Sequence, residues 1–404
     1  MCKSKKAYAK SGIDADWYSA RNLSDDQRVK FQNMSLLSAS KKKISTQLPV
    51  ESFQKMNTPL MDPSQLMPQK KRNNLNTLSL FSGGGGMDLG FDLAGFTHKA
   101  SYELLEFAGD TIKRNRPKWK VHSGSSGDVT EVDWSIYEGS IDVVHGGPPC
   151  QPFSTAGRQA GMSDPRDMVP EFVRCVLECD PKVFVMENVI GLQSSKFQSY
   201  LHEVFLKPLQ EKFSITTFEL SAADFGVSQR RRRVFFVGTR LDIPQYQPPQ
   251  PTHINPFDKT KEKNIKQTSC LFSETKLNLP ETMGVREALG LGDTGIDHLA
   301  PTIRCTLTGP RGTTSILSST SASKVWDSMG VWANGVGKDR ASASKFETKN
   351  GNFRLSVEDV SLLQGFPVNW KFEGAVSKSL GQIGNSVAPP MAYAVALSIV
   401  EILI

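Results

Sequence analysis

The chain has 404 residues, 38% of them hydrophobic, and a formal net charge of +7 from 48 basic and 41 acidic side chains. That length suits one large and one smaller domain, and the basic balance suits a polyanionic partner without identifying it. The 6 cysteines show no metal-ligand spacing and no internal repeat is evident, so neither a metal site nor a repeat array is expected.

Residues 1–74 hold 14 basic and 6 acidic side chains, a local charge of +8 that leaves the remainder near −1. The Lys41-Lys42-Lys43 run, inside a serine-rich stretch, reads as flexible. No apolar run there is long enough for a secretory signal or a membrane anchor. The first structural signal is the short apolar strand Leu78-Ser79-Leu80-Phe81. Ser82 and the glycines Gly83 to Gly86 follow, then Met87-Asp88-Leu89-Gly90-Phe91. A strand, a glycine turn and a helix in that order let the backbone approach an adenosine-type cofactor at a helix N-terminus. The spacing is not that of a phosphate-clamping loop, which argues against ATP. Glu103 stands about twenty residues on, the offset at which an acid holds a ribose. Gly127-Asp128-Val129 marks another strand-end turn, where Asp128 either accepts from an exocyclic amine or caps its own turn.

Ile141-Asp142-Val143-Val144 reads as a buried strand, and Gly146-Gly147-Pro148-Pro149 as a rigid turn at its end. Such a turn presents the next residue, Cys150, rather than burying it; a lone Pro-Cys would be structural more often than reactive. The hydrophobic strand Val183 to Met186 puts Glu187 at a sheet's C-terminal edge. Arg230 to Arg233 lead into Val234-Phe235-Phe236-Val237, and alternation places Arg231 and Arg233 on one face. Beyond Gly238 a proline-rich linker, Pro244 to Pro251, opens a stretch rich in Ser, Thr, Gly and Lys that reads as short strands and loops. Gln382 to Pro390 form a turn into an apolar C-terminal helix.

Taken in this order, the pieces resemble the DNA (cytosine-5)-methyltransferase family, of the compact bacterial or phage restriction–modification type, from about Leu75 to the C-terminus. The resemblance rests on the Phe81–Gly86 loop, Glu103, the Asp128 turn, Pro148-Pro149-Cys150-Gln151 and Glu187-Asn188-Val189. The pattern Gln229, Arg231, Arg233, then Gly365-Phe366-Pro367 and Gly384 to Val387, complete it. It implies an α/β fold: a Rossmann-like S-adenosylmethionine-dependent domain with a mostly parallel seven-stranded sheet, plus a smaller irregular target recognition domain. The division is then a basic leader over 1–74, partly disordered or regulatory or a nonspecific DNA arm, a catalytic and cofactor-binding domain over 75–240, the recognition domain over 241–353, and a C-terminal segment over 354–404 that completes the catalytic domain.

The implied reaction moves a methyl group from S-adenosylmethionine to carbon 5 of cytosine within a specific short double-stranded DNA sequence. It proceeds with the base flipped out of the helix and joined covalently to a cysteine. By the resemblance Cys150 is that nucleophile, and an ordinary thiol of pKa ~8.5 needs nearby positive charge or a base. Glu187 is the implied acid toward ring nitrogen 3, which requires a pKa raised by burial. Arg233, with Arg231 beside it, would bond the base's carbonyl oxygen or support the loop. For the cofactor, Phe81 is implied on the adenine, the backbone of Gly83, Gly85 and Gly86 against the methionine part, Glu103 on the ribose, and Asp128 with Val129 at the adenine amine. Pro148 and Asn385 complete that set. After the ribose glutamate the family often has a bulky residue and then an acid; here Leu105 replaces the acid, and Leu104 is expected to pack on the adenine. DNA contacts are expected from Gln151, Ser154, Arg166, Gln229, Arg304 and Arg311. The expected partners are double-stranded DNA and, in function, a cognate restriction endonuclease, with no membrane; the chain is expected to be a cytoplasmic monomer. A tRNA-methylating cousin shares the thiol chemistry, but the large insert before Arg354 argues against it. Intact Cys150 and Glu187 argue against a non-catalytic regulator.

Overall fold

Seven strands pair into one sheet: β1 (Asn76–Leu80), β2 (Thr97–Glu103), β3 (Val121–Ser123), β4 (Val143–Gly146), β5 (Val183–Asn188), β6 (Phe213–Ser221) and β7 (Arg232–Arg240). The computed structural model describes residues 52–149, 167–258, 279–304 and 314–404, with positions 26, 29 and 33. The strand order is β3-β2-β1-β4-β5-β7-β6, and only β7 runs antiparallel to its neighbours. The central strands are apolar without alternation because helices cover both faces. Within β4 and β5 the faces separate cleanly. Val144, Phe184 and Met186 join one apolar cluster with Phe172 and Val176 of α3 (Val169–Cys179). Val143, Val183 and Val185 join another with Phe91 of α1 (Gly86–Leu93) and Met391 and Val395 of α7 (Pro389–Leu403). The remaining helix of this layer used below is α2 (Glu106–Asn115).

The strand order reverses between β1 and β4, which opens a crevice at their carboxyl ends, where open α/β sheets bind ligands. Because β7 is antiparallel, its first residues, not its last, reach that same edge. The C-terminal helix returns to the start of the sheet: α7 packs on α1 so closely that a Cβ at Gly90 would lie 2.6 Å from Ala392 Cβ. The apolar run Val376–Leu403 is long enough to cross a membrane, but it breaks between α6 (Val376–Asn385) and α7 and is mostly buried in the fold.

A third apolar cluster gathers Val285, Trp326, Val331, Leu355 and Leu363. It is built on α4 (Thr320–Ser328), α5 (Val357–Leu363) and the parallel pair β8 (Val331–Gly337) and β9 (Phe353–Ser356). Residues 52–74, expected to belong to the leader, are instead docked along the molecule. Gln54 Nε2 donates to Arg354 O at 3.1 Å while Arg354 N donates back to Gln54 Oε1 at 2.7 Å. Asn57 Nδ2 donates to Asp359 Oδ1 and Leu289 O. Met61 enters the third cluster and Met67 the α1–α7 cluster. The strap closes with Lys70 N on Leu93 O and Asn73 N on Gly95 O, feeding directly into β1.

Candidate active site

A cavity of about 430 Å³ occupies the crevice, a size suited to a cofactor. Its walls come from the ends of β1, β2, β4 and β5, the start of β7, and the break between α6 and α7. Phe81 turns the chain at the end of β1 with φ +55°, a left-handed conformation that costs a non-glycine residue roughly 1–2 kcal/mol. Such strain persists where the surroundings over-determine it, commonly at ligand sites. Here the Phe81 ring packs half-buried against the α3 side of the sheet.

Glu103 is buried, and each of its oxygens accepts one backbone N–H. Oε2 takes Gly83 N at 2.7 Å and Oε1 takes Leu105 N at 2.8 Å. One carboxylate thus ties the glycine loop to the end of β2, and a second lone pair on each oxygen remains for a ligand hydroxyl. Burial raises its pKa; the two N–H bonds oppose that, and the nearby Asp88 charge adds to it. Asp128 takes the capping alternative. Its Oδ1 caps its turn by accepting from Thr130 N at 3.0 Å and Thr130 Oγ1 at 2.8 Å, while the residue also lines the cavity. Leu104 is exposed at the rim, and Val129, Pro148 and Asn385 line the walls.

Glu187 and Arg233 form the polar end. Arg233 Nε lies 2.8 Å from Glu187 Oε1, with the two side chains only 14% and 9% exposed. Burial raises the Glu187 pKa, and Arg233 and then Arg231 pull it back. Next door, Asn188 Nδ2 donates to Pro148 O at 3.3 Å and its Oδ1 accepts from Val189 N, so β5 holds the turn that leads to Cys150. Cys150, Gln151, Ser154, Arg166 and Arg311 lie outside the described residues. Arg231 is fully buried, and its Nη2 donates to Ser386 O at 2.6 Å, anchoring the cavity wall. Arg304 is exposed.

Two expectations change. Gly85 does not line the cavity: it faces the other way, and a Cβ there would lie 2.9 Å from Trp370 Cζ2. Gly83 and Gly86 do line it, yet a Cβ on Gly86 would strike Val387 O at 2.3 Å, so packing as well as ligand approach demands that glycine. Gln229 does not face solvent and so does not reach DNA. It is fully buried, donating to Gln364 Oε1 at 2.7 Å and Leu363 O and accepting from Ile303 N. Sequence reasoning missed Asp88, a buried acid in the first turn of α1 that accepts from Ser101 Oγ at 2.9 Å. Burial pushes its pKa up to about 6. Its signal was an acid among the apolar residues at the start of the helix, with no basic residue in the helix to pair it. His145, also missed, is buried against Phe91 with centroids 4.3 Å apart, and burial lowers its pKa to about 3, so it is neutral.

The C-5 cytosine-specific DNA methylase profile matches residues 75–401. This chain belongs to that family. Type II methyltransferase M.NgoMIV from Neisseria gonorrhoeae is 33% identical over 339 residues, spanning 81% of this methylase and 97% of the relative. Type II methyltransferase M.Eco47II from Escherichia coli is 31% identical over 357 residues, 83% of this chain and 81% of the other. A prophage-encoded DNA modification methyltransferase from E. coli shares the fold at TM-score 0.50 and 22% identity, covering 82% of this chain and 99% of that one. The methylase therefore transfers a methyl group from S-adenosylmethionine to carbon 5 of cytosine in DNA. The residues present fit that cofactor: a carboxylate with lone pairs left for a hydroxyl, a second acid, Asp128, in the same cavity wall, and side-chain-free backbone at Gly83 and Gly86.

Proposed function

We propose that this methylase modifies one short DNA sequence as the protective half of a restriction–modification pair, with Glu187 and Arg233 handling the flipped cytosine. The buried ion pair between those two side chains, inside the cofactor cavity, carries the reading. Glu187 is kept more basic by burial, so it can hold a proton for ring nitrogen 3 and accept from the exocyclic amine. Arg233 keeps its charge, so a donor stays aimed at the base's carbonyl oxygen. Cys150 follows the turn that Asn188 fixes, and it adds to carbon 6 so that carbon 5 becomes nucleophilic. When bound, S-adenosylmethionine supplies the electrophilic methyl group. Glu103, Asp128 and Phe81 hold its adenosine part, and Arg231 supports the wall through Ser386.

Residues 241–353, with Arg304 and Arg311 among them, serve as the recognition domain, and the methylase acts as a monomer in the cytoplasm. Relatives named as Type II methyltransferases support the restriction–modification role. The test is methyl transfer from labelled S-adenosylmethionine to unmethylated DNA and to tRNA, with Cys150→Ser alongside. Label in 5-methylcytosine from DNA, lost in the variant, together with protection of one motif against endonuclease digestion, supports the proposal. Label in tRNA alone overturns it.

A further inference from the structure

The glycine loop has a back as well as a front. Behind it lies an aromatic bracket formed by Phe366, Trp370 and Phe372, with Trp370 only 4% exposed. Trp370 Nε1 donates to Gly84 O at 3.1 Å, a buried bond that fixes the peptide between Gly84 and Gly85. A Cβ at Gly84 would lie 2.9 Å from Phe372 Cε1, and one at Gly85 2.9 Å from Trp370 Cζ2. Gly85 also has φ +81°. The loop is therefore pressed against the bracket on one side while Gly83 N reaches Glu103 on the other.

The bracket is itself tied down. The Arg116 guanidinium stands 5.3 Å from the Trp370 ring centroid and bonds Asp92 of α1 through Nε at 2.9 Å. Asn115 Oδ1 accepts from Lys371 N, and Thr111 Oγ1 accepts from Glu373 N. These contacts join the bracket to α1 and α2, the helices that follow the strand ends carrying Phe81 and Glu103.

We propose that Trp370 is a positioning residue for the cofactor: its indole N–H holds the Gly84 carbonyl so that the loop presents Gly83 to Glu103 in the shape the adenosylated ligand needs. Trp370→Phe keeps a packed ring and deletes only the donor. Affinity for S-adenosylmethionine and S-adenosylhomocysteine is measured by calorimetry, kcat and KM by methyl transfer, and melting without cofactor. The expected result is a Kd raised about five- to thirtyfold, the range for one lost buried hydrogen bond, with KM following and kcat at saturating cofactor within about twofold. Melting without cofactor falls by a few degrees, since the same bond is lost from the empty fold, so the change in Kd is what separates positioning from packing. An unchanged Kd overturns the proposal. So does a fall in kcat and melting temperature with no change in Kd, which marks Trp370 as merely structural. A second pair of variants decides the matter if Trp370→Phe does not fold. Gly84→Ala should raise Kd by pressing on Phe372, and adding Phe372→Leu should restore it; failure of that rescue also overturns the proposal.

Discussion

Replacing Glu103 by Gln tests the cofactor site at its most constrained point. The native carboxylate accepts Gly83 N on one oxygen and Leu105 N on the other. An amide has one acceptor and one donor end, so whichever way it turns, one buried N–H faces another N–H. The hydrogen bond lost is to a charged acceptor, worth about 1.5–3 kcal/mol, and the ligand loses an acceptor as well. If about 1.4–2.8 kcal/mol of that appears in binding, the Kd for S-adenosylmethionine rises about 10- to 100-fold. Saturating kcat should change little, because Glu103 does not touch the reacting atoms. Burial has raised the Glu103 pKa, so lowering pH protonates it and produces the same defect. Parent affinity should thus fall on the acid side and stay flat above it, and Glu103→Gln should lose that limb. Calorimetry across pH reads both effects. A Glu103→Gln Kd within twofold of the parent, or an unchanged acid limb, would refute this reasoning.

Glu187→Gln should leave cofactor affinity intact while lowering single-turnover methyl transfer about 10²–10⁴-fold, the usual contribution of general acid catalysis. Arg231→Met removes a charged donor from the buried Ser386 carbonyl, which keeps only Gln364 Nε2 at 2.8 Å, so chemical denaturation should show a loss of about 1.5–3 kcal/mol, with cofactor affinity reduced alongside. Asp88 behaves in the opposite sense. Its pKa near 6 in the fold exceeds an ordinary carboxylate's, so its contribution is full below the unfolded value and is lost as pH rises through 6. Asp88→Asn should therefore be more stable than the parent at pH 8, by up to roughly 3 kcal/mol, with the gain vanishing near pH 4 in urea melts.

The sequence displayed the sheet through uninterrupted apolar runs such as Val183 to Met186, because strands buried on both faces need no alternation. It displayed the site because chemistry-bearing residues at strand ends, Phe81, Glu103 and Glu187, fall directly after those runs. It concealed what depends on the far side of a residue. The glycines at 85 and 86 looked like an opening for a ligand, yet Trp370 and Val387, hundreds of residues away, fill the space a Cβ would need. Gln229 sat in a basic, outward-looking run, but its neighbours Ile303 and Gln364 come from segments whose placement only tertiary packing sets. The strap over 52–74 has no periodicity of its own, since side-chain hydrogen bonds and two methionines dock it.

The cavity's last wall, Gln382 to Val387, is made long after Glu103 and Glu187. At synthesis rates of about 5–20 residues per second, the stretch from Glu187 to Val387 takes roughly 10–40 s to emerge. Throughout that interval the ribosome-bound chain has Glu103 and Glu187 but no closed pocket. Such a pocket closes only after residues 188–381 have been synthesised, so its two halves are joined late.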